Sequence, residues 1–121
     1  MILGSGIDII EIERLKKAIK KFGDSFLKRV FTPEEIAYAQ KHRFPYQHFA
    51  ARFAAKEAVL KAFGDNSKIN WKDIKIVNDK YGRPICIFKN KKFHDEIIIS
   101  IAHSQNYAVA SAIITKKKRH L

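Results

Sequence analysis

FAARFAAKEAVLKAFG, residues Phe49 to Gly64, is rich in alanine, free of proline and closed by a glycine, which together predict a helix. At about 100° per residue its charges fall into two windows. Arg52 and Lys56 share one, while Glu57 and Lys61, spaced i and i+4, share another in line with Phe53. Between them Ala51, Ala54, Ala55, Ala58, Val59 and Ala62 form a smooth apolar face, and Phe49, Leu60 and Phe63 form a second strip. Such a helix is covered on two sides and shows charge only at chosen places. Glu57 and Lys61 can be an ordinary i,i+4 ion pair. Beside so much apolar surface they can equally be held for a ligand, because a charge there is costly unless paired or bound.

Working outward, the chain before this helix reads as one strand followed by helices. Met1 to Ile10 is a short apolar, β-branched run that predicts a buried strand, interrupted by Asp8. Alternation puts Asp8 on the face of Ile2, Gly4, Gly6 and Ile10, and the two glycines leave open space beside the carboxylate. Gly4-x-Gly6 lacks the third glycine and the helix start of a dinucleotide fingerprint. Asp8 is then a helix cap, half of a salt bridge, or a ligand to a cation. Ile12 to Phe22 is an amphipathic helix with Ile12, Leu15, Ala18, Ile19 and Phe22 on one side and Arg14, Lys17, Lys20 and Lys21 on the other. Its basic face is a solvated surface or a dock for an acidic partner; it is short and lacks Trp for a membrane-surface role. Asp24 or Ser25 is placed to cap a short helical turn. Thr32-Pro33-Glu34-Glu35 carries a capping box and starts a helix to about Lys41, and Pro45 opens the central one.

The chain after Gly64 changes character. Asp65 to Asn70 is loop-like, Asp73 to Val77 alternates as a strand, Asn78 to Pro84 is turn chemistry bearing Arg83, and Ile85 to Phe88 is a short strand. Glu96 to Ala102 and Tyr107 to Thr115 flank a turn at His103-Ser104-Gln105-Asn106. His103 shares a face with Ile97, Ile99 and Ile101, as a satisfied core histidine or as a donor to an anion. Helices gathered in the first half and strands in the second predict an α+β domain, with a small antiparallel sheet packed on the central helix.

The 121 residues suffice for one core, so residues 1–121 form a single domain, of which 116–121 are a basic, non-specific tail. The composition, 46% hydrophobic and 30% charged, is that of a soluble globular chain, and no apolar run reaches membrane-spanning length. The single Cys86 excludes an intrachain disulfide and a cysteine zinc site, and with no charged signal region at the start it predicts a reducing, cytoplasmic setting. The net charge of +12 calls for an anionic partner. Nucleic acid is disfavoured, since no nucleic-acid motif is present and Asp8 and Glu57 would repel phosphate without a metal. Two carboxylates with Lys61 and His103 instead suit a divalent ion on a pyrophosphate, because Mg²⁺ prefers one or two carboxylates plus phosphate oxygens and water.

GIDIIEIERL at 6–15, RFAAKEAVLKAFG at 52–64 and SIAHSQNYAVA at 100–110 resemble the three signatures of the holo-acyl-carrier-protein synthases, the short bacterial phosphopantetheinyl transferases. Their order, spacing and total length resemble the family over nearly the whole chain, and Ala102 departs from it by standing where Ser or Thr is frequent. The resemblance implies the 4′-phosphopantetheinyl transferase fold and a Mg²⁺-dependent reaction. In it, the phosphopantetheine arm of coenzyme A passes to a serine of apo acyl carrier protein, in support of fatty acid biosynthesis. By position it implies Asp8 and Glu57 as Mg²⁺ ligands, Glu57 and Lys61 as catalytic groups, and Lys61 and His103 as coenzyme A contacts; Arg83, in its Gly-Pro loop, is a candidate contact for the adenosine 3′-phosphate. It further implies Arg14, Lys17, Lys21 and Arg29 as the carrier-protein dock, and a homotrimer with sites between subunits. A non-catalytic coenzyme A-binding protein is the rival reading.

Overall fold

In the computed structural model, residues 1–64, 68–90 and 92–117 are described; residues 65–67 of the expected loop and 118–121 of the expected tail lie outside them. The chain runs β1 (Ile2–Glu11), α1 (Ile12–Phe22), α2 (Asp24–Val30), α3 (Pro33–Gln40), α4 (Pro45–Phe63), a single 3₁₀ turn (Trp71–Asp73), β2 (Ile74–Asn78), β3 (Pro84–Phe88), β4 (Glu96–His103) and β5 (Tyr107–Thr115). The strands form two antiparallel sheets, one ordered β1-β5-β4 and the other pairing β2 with β3. The first sheet packs its inner face on α4, as the α+β pattern predicts.

The contact between α4 and that sheet is made from residues without bulk. Ala108, Ala110 and Ala112 of β5 meet the alanines of α4 in the core. On β1, a Cβ at Gly6 would stand 2.0 Å from the Ala58 carbonyl oxygen, and one at Gly4 would stand 2.1 Å from that of Ala62. The space read from the sequence as open beside Asp8 is therefore filled by helix backbone, and only glycine permits that approach. β1 is also not buried on both faces: its outer side shows Leu3, Ile7 and Ile9, with Ile7 66% exposed.

The other side of α4 corrects the reading of its charges. Arg52 and Lys56 are not displayed; both are buried. Lys56 Nζ pairs with Glu35 and donates to the Val30 carbonyl at 2.8 Å and the Trp71 carbonyl at 3.1 Å, so each of its N–H groups has an acceptor. Glu35 closes the expected capping box by accepting from the Thr32 N–H, and its second oxygen accepts from the Ile76 N–H. One ion pair thus ties α2, α3, α4 and β2 together. Burial pulls the Lys56 ammonium below its ordinary pKa, while Glu35 opposes that pull. Burial likewise pushes the nearby Cys86 thiol up to about 12, so it stays protonated.

Gly23, at φ +60°, turns the chain between α1 and α2. It occupies the cap position expected of Asp24 or Ser25, while the Ser25 hydroxyl donates backwards to the Phe22 carbonyl.

Removing one member of a buried pair leaves the other uncompensated. Lys56→Met is expected to cost about 3–5 kcal/mol in urea unfolding, with part of the loss recovered in Lys56→Met/Glu35→Gln, which removes the stranded charge and keeps an acceptor for the buried N–H groups. A single-variant loss below about 1 kcal/mol would contradict this role for the pair.

Candidate functional site

β1 delivers Asp8 to the inner face, opposite Ala110 of β5, and Gly6 lets α4 settle one residue pair away. Lys61 leaves the last turn of α4 and its Nζ reaches Asp8 Oδ1 at 3.1 Å, with a second donation to the Ile7 carbonyl at 3.1 Å. Of the two readings open for Glu57 and Lys61, the i,i+4 ion pair is not formed; Lys61 pairs instead across 53 residues of sequence. The Lys61 side chain is 53% exposed and that of Asp8 13%, so the ammonium faces solvent while the carboxylate is sheltered.

Glu57, one turn earlier on α4, is half-buried. Burial first, and the Asp8 carboxylate second, hold its carboxyl above the ordinary value, with Lys61 offsetting part of the effect. Two acids that repel each other, with one ammonium beside them, make a locally acidic spot on a chain of net charge +12. No group of three metal-type side chains occurs among the described residues. The donor set fits an ion that completes its shell with water and phosphate oxygens, as Mg²⁺ does, better than one caged by protein.

His103 ends β4 on the same inner face, opposite Ala108. β5 lies between β4 and β1, so two strand spacings, about 10 Å, separate its strand from that of Asp8. His103 is exposed and not a core histidine. Its ring meets that of His48 on α4 with centroids 6.3 Å apart. Arg83 is exposed in the β2–β3 turn, where Asp79 accepts from its N–H at 2.9 Å and Gly82 takes φ +81°. It lines a groove of about 520 Å³ that runs between β3 and β4 along Ile97–Ile101.

Arg14, Lys17 and Lys21 are exposed on α1, and Arg29 on α2. Between α1 and β1 lies a cleft of about 420 Å³ with Asp8 and Arg14 on its wall and Leu15, Ala18, Phe26 and Phe53 lining it. The structure therefore brings Asp8, Glu57 and Lys61 together, sets the basic helix beside Asp8, and leaves His103 and Arg83 further along β4. Sequence reasoning missed His48 next to His103, and Phe26 in the cleft. The position of Phe53 four residues before Glu57 was the one available signal for the cleft.

Residues 4–112 match the family model described as the 4′-phosphopantetheinyl transferase superfamily. A holo-[acyl-carrier-protein] synthase from Thermodesulfovibrio yellowstonii is 46% identical over 115 residues, covering 95% of this chain and 100% of the relative. One from Koribacter versatilis is 42% identical over 123 residues, covering 94% and 98%. Among solved structures, the holo-(acyl-carrier-protein) synthase of Bacillus anthracis in complex with CoA (3′,5′-ADP) superposes with a TM-score of 0.85 at 36% identity, covering 97% of this chain and 99% of that one. The Helicobacter pylori holo-[acyl-carrier-protein] synthase in complex with coenzyme A gives 0.82 at 31% identity, covering 92% and 99%.

A carboxyl with a raised folded pKa binds its proton more tightly in the folded than in the unfolded chain. Its contribution to stability is present at low pH and is lost as pH rises from the ordinary value of 4.5 through the raised one. In metal-free protein, Glu57→Gln should match the wild type in Tm below pH 4.5 and exceed it at pH 8. Thermal melts across that range check this; a variant less stable at pH 8 than at low pH relative to wild type would contradict the placement of Glu57.

Proposed function

The chain belongs to the 4′-phosphopantetheinyl transferase superfamily, among the holo-[acyl-carrier-protein] synthases, and from that membership we propose how it moves the 4′-phosphopantetheine group of coenzyme A to a serine of apo acyl carrier protein. The observation that carries the site assignment is the meeting of Asp8, Glu57 and Lys61 from two ends of the first half of the chain. The serine hydroxyl oxygen forms a bond to the β-phosphorus of coenzyme A. The bond from that phosphorus to the bridging oxygen breaks, and adenosine 3′,5′-bisphosphate leaves.

Asp8 and Glu57 would hold Mg²⁺, which when bound supplies positive charge against the phosphoryl oxygens. Lys61, tethered at Asp8 but half exposed, offers a fixed ammonium to the same diphosphate. Glu57 is the candidate to receive the serine proton at a carboxylate oxygen, since it stands beside Asp8 and Lys61 on the same site. His103 and Arg83 would take up coenzyme A phosphates, Arg83 from the groove along β4. Arg14, Lys17, Lys21 and Arg29 form the dock for the acidic carrier protein, and the cleft beside Arg14 leads to Asp8. Charge complementarity of this kind accelerates encounter and weakens with salt. The product, a holo-carrier protein, serves fatty acid synthesis in the cytoplasm, a reducing setting that suits the free thiol of Cys86.

The outer face of the β1-β5-β4 sheet supports a homotrimer. Leu3, Ile7 and Ile9 of β1 lie beside Val109 and Ile113 of β5 and Ile98 of β4, and Ile7 and Ile9 are 66% and 65% exposed. This largely apolar face, crossed by Ser5, Ser111 and Ser100, marks an association surface. In sedimentation, the wild type is expected to run as a trimer and Ile7→Glu/Ile9→Glu as a folded monomer; a wild-type monomer at micromolar concentration rejects the arrangement.

Incubation of apo acyl carrier protein with coenzyme A, Mg²⁺ and this protein should add one phosphopantetheine mass to the carrier, and EDTA should abolish the gain. Lys61→Ala and Glu57→Ala should each slow it by about 100-fold or more. Near-normal turnover of both variants by mass spectrometry would reject the site assignment.

A further inference from the structure

His42, His48 and Arg52 gather around Tyr38 of α3 at the N-terminal half of α4, and His103 of β4 adjoins His48. The rings of His42 and His48 lie 3.8 Å apart at 31°, and that of His48 lies 6.3 Å from His103 of β4. Tyr38 touches both histidines of the pair, at 4.6 Å and 5.6 Å. His42 Nδ1 donates to the Tyr38 carbonyl at 2.7 Å, which fixes its ring beside His48. The Arg52 guanidinium sits 3.8 Å over the Tyr38 ring, is 4% exposed, and has a buried Nε with no partner. Its Nη2 reaches Asn78 of β2 at 3.5 Å, and Asn78 in turn donates to the Tyr38 hydroxyl at 2.9 Å. Lys41 Nζ also lies over this ring, 5.0 Å from its centroid.

Among the described residues, the chargeable groups that these contacts bring together are cationic or phenolic: His42, His48, His103, Arg52, Lys41 and Tyr38. The one carboxylate that acts on Arg52 is Glu35, and it is committed to Lys56, the Thr32 N–H and the Ile76 N–H. Among the described residues no carboxylate forms an ion pair with any member of the cluster. A cationic surrounding of this kind favours the arrival of an anion.

We propose that His48 forms a proton-accepting seat behind His103: when a phosphate of coenzyme A reaches His103, His48 takes up a proton, so that affinity for coenzyme A is set by pH. The inference rests on the functional reading above, in which His103 meets a coenzyme A phosphate. In the free protein, burial first, and then the charges of His42, Arg52 and His103, hold His48 below the ordinary histidine value, so it is neutral at pH 7. A phosphate dianion within the cluster reverses that balance and favours the imidazolium. By reciprocity, whatever the anion does to the proton, the proton does to the anion. Affinity for coenzyme A then falls as pH rises, by up to about tenfold per unit for one linked proton.

Titration calorimetry of the full-length protein with coenzyme A, in two buffers of different ionisation enthalpy at pH 7.5, reads the proton directly. At that pH the phosphate, with a second pKa of about 6, is already a dianion and contributes little. The wild type should take up a substantial fraction of a proton on binding. His48→Phe keeps an aromatic ring in place without a titrating group; it should lose most of that uptake and flatten the slope of log affinity against pH. His42→Gln is the second variant and should do the same in part, whereas a purely structural role would shift affinity equally at every pH. Binding without proton uptake in the wild type, or an unchanged slope in both variants, overturns the proposal while leaving the functional reading standing. No binding of coenzyme A at any pH overturns that reading, and this inference with it.

Discussion

The close approach of the β1 backbone at Gly4 and Gly6 to the carbonyls of Ala62 and Ala58 sets the positions on which the rest of the site depends. A sheet and a helix ordinarily keep their distance because side chains stand between them. Here glycine on the strand and alanine on the helix remove that layer, so α4 lies almost against β1. The consequence is chemical as well as structural. Asp8, two residues beyond Gly6, comes within 3.1 Å of Lys61, and near enough to Glu57 for the two carboxyls to sense each other. Bulkier residues would still build a strand and a helix, but would hold those three groups apart.

The opposite side of α4 carries charge for a different purpose. Lys56 and Glu35 are wholly enclosed, and each hydrogen-bonding position on them that the structure describes is filled by backbone from α2, the 3₁₀ turn, α3 or β2. A buried pair of this kind adds less net stability than its Coulomb attraction suggests, since both ions lost their water. It does restrict how the parts can fit, because any shift of α3 or β2 strands a charge. The helix therefore has a locked charged side and a working charged side, separated by alanine. Arg52 belongs to neither fully: it is buried like Lys56 yet retains an unpaired Nε, at the edge of the histidine cluster.

Much of this was legible. The capping box at Thr32 and Glu35, the proline that opens α4 and the alternation of β5 are local signals, and all of them stand in the fold. The glycines were noticed but misjudged, because a missing side chain looks the same on paper whether water or another backbone fills the gap. Arg52 and Lys56 were read as displayed charges for a similar reason. Spacing tells which residues share a side of a helix, but not what covers that side. Glu35 was legible as a cap and illegible as the counter-ion of Lys56, since a carboxylate can serve both with its two oxygens.

Periodicity, capping residues and the charge count are properties of neighbours along the chain, and through them the amino-acid order alone determined the elements, their class and the family likeness. Which ammonium answers which carboxylate was decided only when the chain closed on itself. Lys61 chose Asp8 over Glu57, and His103 met His48, because the packing of α4 on the sheet set those distances. Electrostatic partnership depends on separation in space and on exclusion of water, and neither quantity exists until the tertiary contacts form.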